Sequence, residues 1–336
     1  MKIGVVGDVH WSKYSSIIRS RKDKYSTRLQ NCILSINWAE KTMSREQCDL
    51  IVYLGDFFDK CDLNAEEITA LSELHFAEIP HVFLVGNHEM GLNDLMFSSA
   101  HLFDLKDMTI INEPTCTKLQ DVDLCFLPYI LEDAREPIYK YIPICNQPIV
   151  FSHNDIKGIQ MGNIISKAGF DIEDIEQNCK LFLNGHIHNG SKVSDKIINV
   201  GNLTGQNFSE DATEYSHSIY VLNTDNMECS VFDNPHAFNF FKCDVVDNYY
   251  NIKPYLESMP NPVLTIKLKE SQVKEYEWVK DYCVASRFII QPEITRNSTE
   301  QVESLSVNHL DKFKEYIISE LGNSEDIVEE LEQVVG

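Results

Sequence analysis

The sequence has 336 residues, of which 43% are hydrophobic and 24% charged, and its formal net charge is −23 at pH 7. This composition is typical of a globular protein with a sizeable core, and it excludes collagen-like and disordered chains. The acidic balance argues against a protein that coats nucleic acid or anionic lipid by itself, because such binding needs clustered lysine and arginine. A nuclease is not excluded, since metal ions and a basic partner can offset local acidity.

Strands and helices alternate over the first 90 residues. Short apolar runs predict strands at 2–7, 49–54 and 81–85. Apolar residues at three- and four-residue steps predict an amphipathic helix over about 25–43, and Asn64 with acidic residues directly behind it predicts the start of a second helix that continues to Phe76. This alternation is typical of a sheet with helices packed on its faces.

After residue 105 the pattern changes to seven short apolar runs with few helices between them. The runs are MTIIN, LCFLPY, PIVFSH, KLFLNG, KIINVG, HSIYVLN and CSVFD. They predict a second sheet packed on the first. The expected fold class is therefore α/β (α+β), a four-layer αββα sandwich over residues 1–240.

Two further parts are predicted beyond residue 240. Residues 241–295 contain the runs PVLTIKL and SRFIIQPEI around a charged amphipathic piece, which predicts a small α/β domain. Residues 296–336 are acidic, with two apolar stripes at helical spacing. We interpret them as a helical docking segment, with a solvated tail as the alternative.

The ten cysteines are dispersed and form no Cys-x-x-Cys pair. Several lie in or beside apolar runs, where free cysteine behaves as a small hydrophobic residue. No disulfide framework is expected, and a reduced cytoplasmic location is predicted. The opening apolar run is too short for a signal peptide, and no run of about 18 apolar residues predicts a membrane span.

Five predicted strands end in side chains that bind metals or protons. They are Asp8 and His10, Asp56 and Asp59, Asn87 and His88, His153, and the pair His186 and His188. Each ending alone is common at turns. The Gly-His-x-His spacing carries more weight, because residues two apart in extended chain face the same way. Since the carboxyl ends of strands meet at one edge in layered α/β folds, the five endings together predict a single site.

These side chains supply carboxylate, amide and imidazole groups without thiolate. Such a set suits Mn²⁺, Fe or Zn²⁺ better than Ca²⁺ or a cysteine-based zinc site. It exceeds the needs of one ion and fits two ions about 3.5–4 Å apart that share a carboxylate. A pair of this kind activates water and stabilises a phosphoryl group under attack.

The order D-x-H, G-D, G-N-H-E, H and G-H-x-H over residues 1–205 resembles the calcineurin-like metallophosphoesterase superfamily. The resemblance implies that Asp56 bridges two metals. It implies the further ligands Asp8, His10 and His188 for the first metal and Asn87, His153 and His186 for the second. It also implies that His88 is a catalytic residue rather than a ligand, which contacts the phosphate and acts as a general acid. Glu89 is expected at most to orient its neighbours.

The whole chain is similar to the SbcD nuclease family, in particular to its phage recombination endonuclease members. The segments that carry this are GDVHW and GDFFDK, the PVLTIKL and SRFIIQPEI pair, and VESLSVNHLDKFKEYI. The resemblance implies a Mn²⁺-dependent 3′→5′ exonuclease and single-strand or hairpin endonuclease of DNA recombination and repair, with Mg²⁺, Fe or Zn²⁺ as other possible metals. Asp59 stands where many relatives carry histidine, so its role stays open.

The same resemblance implies partners and a location. An SbcC-type coiled-coil ATPase would bind residues 296–336 in bacterial or phage-infected host cytoplasm. A homodimer within a heterotetramer is implied, with helices at about 25–43 and 91–104 as candidate interfaces. The basic patch 18–28 fits either a DNA contact or a solvated loop.

Two other functions remain open. One is a different phosphoesterase of this fold, either a phosphatase or a cyclic-nucleotide phosphodiesterase. The region after residue 240 argues against it, because a minimal phosphatase needs no second domain. The other is a non-catalytic scaffold, which the complete set of expected ligands disfavours.

Overall fold

The computed structural model describes residues 1–106, 108–143, 147–161, 164–246 and 252–292. Its strands are β1 (Lys2–Val6), β2 (Leu50–Tyr53), β3 (His81–Leu84), β4 (Met90–Gly91), β5 (Asp94–Ser98), β6 (Thr109–Ile111), β7 (Thr115–Leu119), β8 (Val122–Leu127), β9 (Ile149–Ser152), β10 (Gln160–Met161), β11 (Ile164–Ile165), β12 (Leu181–Asn184), β13 (Ser191–Lys192), β14 (Ile197–Asn199), β15 (Ser218–Asn223), β16 (Glu228–Asp233), β17 (Asn239–Asp244), β18 (Pro262–Lys269) and β19 (Ala285–Gln291). Its α-helices are α1 (Thr27–Arg45), α2 (Ala65–Ala70), α3 (Ile172–Asn178), α4 (Lys253–Ser258) and α5 (Val279–Tyr282).

Two six-stranded mixed sheets form the body of the protein. The first has the order β16-β15-β1-β2-β3-β6, in which β1, β2, β3 and β6 are parallel and β15 and β16 are added antiparallel. The second has the order β13-β14-β12-β9-β8-β7, with a parallel centre and antiparallel edges. The predicted mixed α/β class with more than one sheet is confirmed.

The two sheets pack face to face through alternate residues of their strands. Val52 and Leu84 of the first sheet lie in one buried cluster with Phe126, Phe151 and Leu183 of the second. The intervening residues point outward, because successive side chains of a strand face opposite sides. Helices α1 and α2 therefore cover the outer face of the first sheet, and α3 covers that of the second.

The starts of the first two helices follow from their capping residues. The Ser26 side chain accepts a hydrogen bond from the backbone N–H of Leu29, so α1 begins at Thr27. Asn64 and Glu67 form a capping box, which confirms the predicted start of α2. The α-helix ends at Ala70 and continues only as a 3₁₀ turn, so it is shorter than predicted.

Three of the seven runs assigned to the second sheet belong to the first. MTIIN, HSIYVLN and CSVFD contain β6, β15 and β16. Both sheets bury apolar strands, so the run itself does not show which sheet it joins. The choice rests on long-range pairing, such as the antiparallel register of Lys2 with Asn223.

The prediction of a helix over 91–104 is wrong. Strands β4 and β5 form a hairpin there, followed by a 3₁₀ segment over Ser99–Lys106. Leu92 and Asn93 connect the strands with φ values of 56° and 55°. Two consecutive positive φ angles are the geometry of a tight hairpin turn, and they end any helix at this point.

The smaller sheet consists of β17, β18 and β19, all parallel. Parallel neighbours need a crossover connection, and these crossovers contain α4 and α5. The sheet begins at Asn239, and the described residues all lie in one compact unit, Met1–Pro292. The predicted helical segment 296–336 lies outside the described residues.

One disulfide was missed. Cys116 and Cys125 are directly opposite in the antiparallel pair β7–β8, and their sulfurs are bonded at 2.05 Å. Cross-strand register brings them together, which the dispersed spacing of the cysteines does not reveal. The other described cysteines are free. None of the helices in the described ranges has both the length and the apolar character needed to cross a bilayer.

Candidate metal centre

All eight predicted site residues lie on loops that leave the carboxyl ends of five strands. These are Asp8 and His10 after β1, Asp56 after β2, Asn87 and His88 after β3, His153 after β9, and His186 and His188 after β12. β1, β2 and β3 are neighbours in the first sheet, and β9 and β12 are neighbours in the second. The two sheets therefore contribute to one edge.

A first cluster contains Asp8, His10 and His188. The Nε2 atoms of His10 and His188 are 2.9 Å apart. Oδ2 of Asp8 lies 3.8 Å from the first nitrogen and 3.9 Å from the second. This carboxylate oxygen is buried and has no hydrogen-bond partner among the described residues.

A second cluster contains Asp56, His153 and His186, with Asn87 beside them. Nε2 of His153 lies 3.1 Å from Oδ2 of Asp56 and 3.2 Å from Oδ1 of Asn87. Asp56 also lies within reach of His10 in a third grouping. Asp56 therefore groups with a residue of each cluster, and exposed His88 belongs to the same third grouping.

The loops adopt backbone conformations that ordinary residues rarely take. His10, Asp56 and His186 have φ values of 50°, 47° and 69°. A Cβ atom at Gly86 would lie 2.1 Å from Oδ1 of Asp56, and one at Gly55, where φ is 104°, would lie 2.5 Å from Nδ1 of His153. Gly55 and Gly86 thus let the loops after β2 and β3 approach the site closely.

Backbone amides fix one oxygen of each key carboxylate. The N–H of His186 donates to Oδ1 of Asp8 at 2.9 Å, and the N–H of His88 donates to Oδ1 of Asp56 at 2.8 Å. The other oxygen of each carboxylate is left to face the clusters. Each carboxylate is therefore oriented before any ligand arrives.

The imidazole rings also present lone pairs towards the clusters. His153 donates from Nδ1 to the carbonyl of Leu54 at 2.7 Å, which leaves Nε2 for Asp56. His188 donates from Nδ1 to Oε1 of Glu210 at 3.1 Å, which leaves Nε2 facing His10. In both clusters carboxylate oxygens and imidazole nitrogens converge, an arrangement that binding of a proton or a metal ion stabilises.

Ionisation of the second cluster shows the same need for positive charge. Burial disfavours the protonated form of His153, but the carboxylates of Asp56 and Asp8 outweigh burial and raise its pKa to about 9. The same pair holds the pKa of Asp56 well below its usual range against the opposing effect of burial. A metal ion would replace the proton on His153, since ligands bind metals in their deprotonated forms. The oxygen and imidazole donors therefore fit two divalent ions.

His88 is the most accessible of the eight side chains. Its side chain is 43% exposed, and its ring lies edge-on to His10 with centroids 4.7 Å apart. Nδ1 of His88 lies 3.4 Å from the carbonyl oxygen of Asp59. The geometry places His88 beside the clusters and open to a substrate; its catalytic role stays a prediction.

Glu89 is fully buried and touches backbone rather than the cluster atoms. Its carboxylate accepts hydrogen bonds from the N–H groups of Gly86 at 2.9 Å and Phe58 at 3.0 Å. Burial and then the charge of Asp56 raise its pKa to about 8. Glu89 thus joins the loops after β2 and β3.

Three residues that contact the predicted ligands were not predicted from the sequence. Asp155 lies 3.0 Å from Nε2 of His186 and pairs with Arg135 at 3.1 Å. Buried Arg28 donates to the carbonyls of Val9 and His10. Fully buried Glu210 contacts His188. Asp155 follows the His153 ending by two residues, which is a weak signal, whereas Arg28 and Glu210 carry no local pattern.

The basic patch 18–28 is largely paired within the chain. Arg21 contacts Glu66, and Lys24 contacts Glu73 at 2.6 Å. Arg28 is buried under the loop after β1. These contacts favour the interpretation of a structural loop over a DNA contact.

Two mixed sheets with buried aspartate and histidine clusters at a shared edge define a metal-binding protein of a layered α/β fold. A family profile described as "Calcineurin-like phosphoesterase" matches residues 1–211, and the chain belongs to that family. It is accordingly a hydrolase that acts on ester bonds, with the binuclear type of metal site that its family uses.

Comparison with solved structures gives a distant likeness. A solved structure described as a novel archaeal phosphodiesterase is similar at 14% sequence identity with a TM-score of 0.36, over 69% of this chain and 99% of that chain. No curated protein sequence matches the chain.

Proposed function

We propose that this phosphoesterase is a Mn²⁺-dependent DNA nuclease subunit with 3′→5′ exonuclease and single-strand or hairpin endonuclease activity. The observation that carries the proposal is the pair of metal-binding clusters, with Asp56 grouped with residues of both and exposed His88 beside them. Two divalent ions held in this way acidify a bound water and neutralise the charge that develops on a phosphodiester.

The chain's own residues have distinct roles in this proposal. Asp8, His10 and His188 would hold the first ion, Asn87, His153 and His186 would hold the second, and Asp56 would serve both. His88 donates the proton to the leaving oxygen. Because Nδ1 of His88 faces Asp59, Nε2 is the atom left for the substrate.

The smaller sheet supports a polymeric substrate. Its Phe240 and Val263 pack with buried Ile18, which lies in the segment that leaves His10. The N–H of Ala212 also donates to the carbonyl of Phe240 at 2.8 Å. The smaller sheet is thus attached to the loop after β1, which carries His10, and to the loop after β14, which carries Glu210. A small substrate needs no such addition, whereas DNA extends beyond the metals.

The proposed partner is an SbcC-type coiled-coil ATPase that binds residues 296–336. A basic partner would compensate the net charge of −23, which otherwise repels DNA. We further propose a homodimer within a heterotetramer, in bacterial or phage-infected host cytoplasm. Deletion of 296–336 is expected to abolish co-purification with the ATPase and to leave hydrolysis of bis-p-nitrophenyl phosphate unchanged. A truncated chain that still co-purifies contradicts this assignment.

Cleavage of end-labelled DNA tests the proposed substrate. Purified protein is incubated with duplex and hairpin DNA and with bis-p-nitrophenyl phosphate, each with Mn²⁺ alone or Mn²⁺ and excess EDTA. Mn²⁺-dependent cleavage of both DNA and the chromogenic ester is expected. Hydrolysis of the ester alone would favour a phosphatase or cyclic-nucleotide phosphodiesterase, and hydrolysis of neither would favour the scaffold.

A further inference from the structure

Glu210 is a fully buried carboxylate on the loop that follows β14. Its Oε1 lies 3.1 Å from Nδ1 of His188 and accepts a hydrogen bond from Nδ2 of Asn202 at 2.7 Å. Burial of a carboxylate is costly unless its oxygens are hydrogen-bonded. Here the bonds go to an imidazole of the first cluster and to the loop itself.

The same loop reaches the other imidazole of that cluster. The N–H of Gln206 donates to both oxygens of Glu210, at 3.1 Å and 2.9 Å. The Gln206 side chain donates from Nε2 to Oδ1 of Asp59 at 2.7 Å. That Asp59 oxygen lies 3.1 Å from Nδ1 of His10. Glu210 thus contacts His188 directly, and Gln206 holds the Asp59 carboxylate at ion-pair distance from Nδ1 of His10, a buried nitrogen without a hydrogen-bond partner among the described residues.

We propose that Glu210 is a positioning residue for the first metal, with Gln206 and Asp59 as its arm to His10. The inference rests on the proposed two-metal function. A carboxylate on the far nitrogen of a ligand imidazole fixes the ring's orientation and tautomer and raises its basicity as a ligand. Both Nε2 atoms are then held facing each other, 2.9 Å apart, for one ion.

This assignment also gives Asp59 a role. Its carboxylate accepts from Gln206 and faces His10, and its oxygen lies 3.8 Å from Nδ1 of His88. A histidine in place of Asp59 would have only one acceptor nitrogen. It could therefore not accept a hydrogen bond from Gln206 and also present an acceptor to His10. The second cluster has a separate support, since Asp155 contacts His186. A change at Glu210 is therefore expected to affect one ion only.

Calorimetric titration of the metal-free full-length protein with Mn²⁺ tests the inference. Glu210→Gln keeps the side-chain shape but removes the charge, and Gln206→Ala removes only the arm to Asp59. For Glu210→Gln we expect about 10–100-fold weaker binding of one Mn²⁺ and unchanged binding of the other, and for Gln206→Ala a smaller loss at the same ion. Exposed Glu214→Gln is the matched control and should bind both ions as the unaltered chain does.

The absorption spectrum of Co²⁺ bound to the same variants gives a second readout, because it reports the ligand geometry of each ion. A changed spectrum for one of two ions is expected in Glu210→Gln, with thermal unfolding used to verify that the variant is folded. Two ions bound with unaltered affinity and spectrum by both variants would overturn the inference. Failure of the unaltered protein to bind two ions would instead contradict the proposed function itself.

Discussion

Asp56→Asn is expected to remove both metal ions and almost all phosphodiesterase activity. Asp56 groups with His10 on one side and with His153 and His186 on the other, and its Oδ2 faces His153 at 3.1 Å. A neutral amide cannot balance the charge of two divalent ions. Loss of their electrostatic contribution, several kcal/mol, corresponds to a decrease in rate of about 10³-fold or more.

Elemental analysis of the dialysed protein and the rate on bis-p-nitrophenyl phosphate are the two measurements. Asp62→Asn serves as the matched control, because Asp62 is exposed on the same loop and belongs to none of the metal-binding groupings of the described residues. It should keep both ions and the full rate. Retention of one tightly bound ion by Asp56→Asn would show that the ions do not share this carboxylate.

His88→Ala is expected to separate metal binding from chemistry. The His88 ring is exposed and is held beside the clusters by its backbone bond to Asp56. Its removal leaves the seven proposed ligands in place, so the metal content should not change. The turnover of a phosphodiester with a poor leaving group should fall by about 10²–10⁴-fold, the usual contribution of a general acid.

Leaving-group dependence makes this experiment specific. An ester with an acidic nitrophenol as leaving group needs little protonation, so His88→Ala should lose less activity on it than on an alkyl ester. His75→Ala, which removes an exposed histidine from a loop after α2, is the control. A fall in metal content that matches the fall in rate would make His88 a ligand instead, in line with its grouping with His10 and Asp56.

The residues of the candidate site were easier to predict from the sequence than the order of the strands in the two sheets. Each strand that leads to a site residue is a local apolar run, and a glycine or a polar residue marks the end of that run. Gly55 and Gly86 are required by close approach to His153 and Asp56, so their place before the polar residues is a local consequence of the site. The loops then meet at one edge because the strands before them are parallel.

What the sequence could not show depends on long-range pairing. β15 joins the first sheet through an antiparallel register with β1, and Cys116 meets Cys125 because β7 and β8 pair at that register. The hairpin at 90–98 depends on positive φ at Leu92, a residue that seldom adopts it. Glu210 reaches His188 from 22 residues away in an irregular loop, where no periodicity marks its role.

Side chains from five strand ends are proposed to hold two divalent ions, with Asp56 between them. Crystals soaked in Mn²⁺ and measured near the manganese absorption edge test this arrangement most directly. Two anomalous peaks about 3.5–4 Å apart are expected, one among Asp8, His10 and His188 and one among Asn87, His153 and His186, with Asp56 between them. A single peak, or a peak bound by His88 with Asp56 uninvolved, would contradict the account.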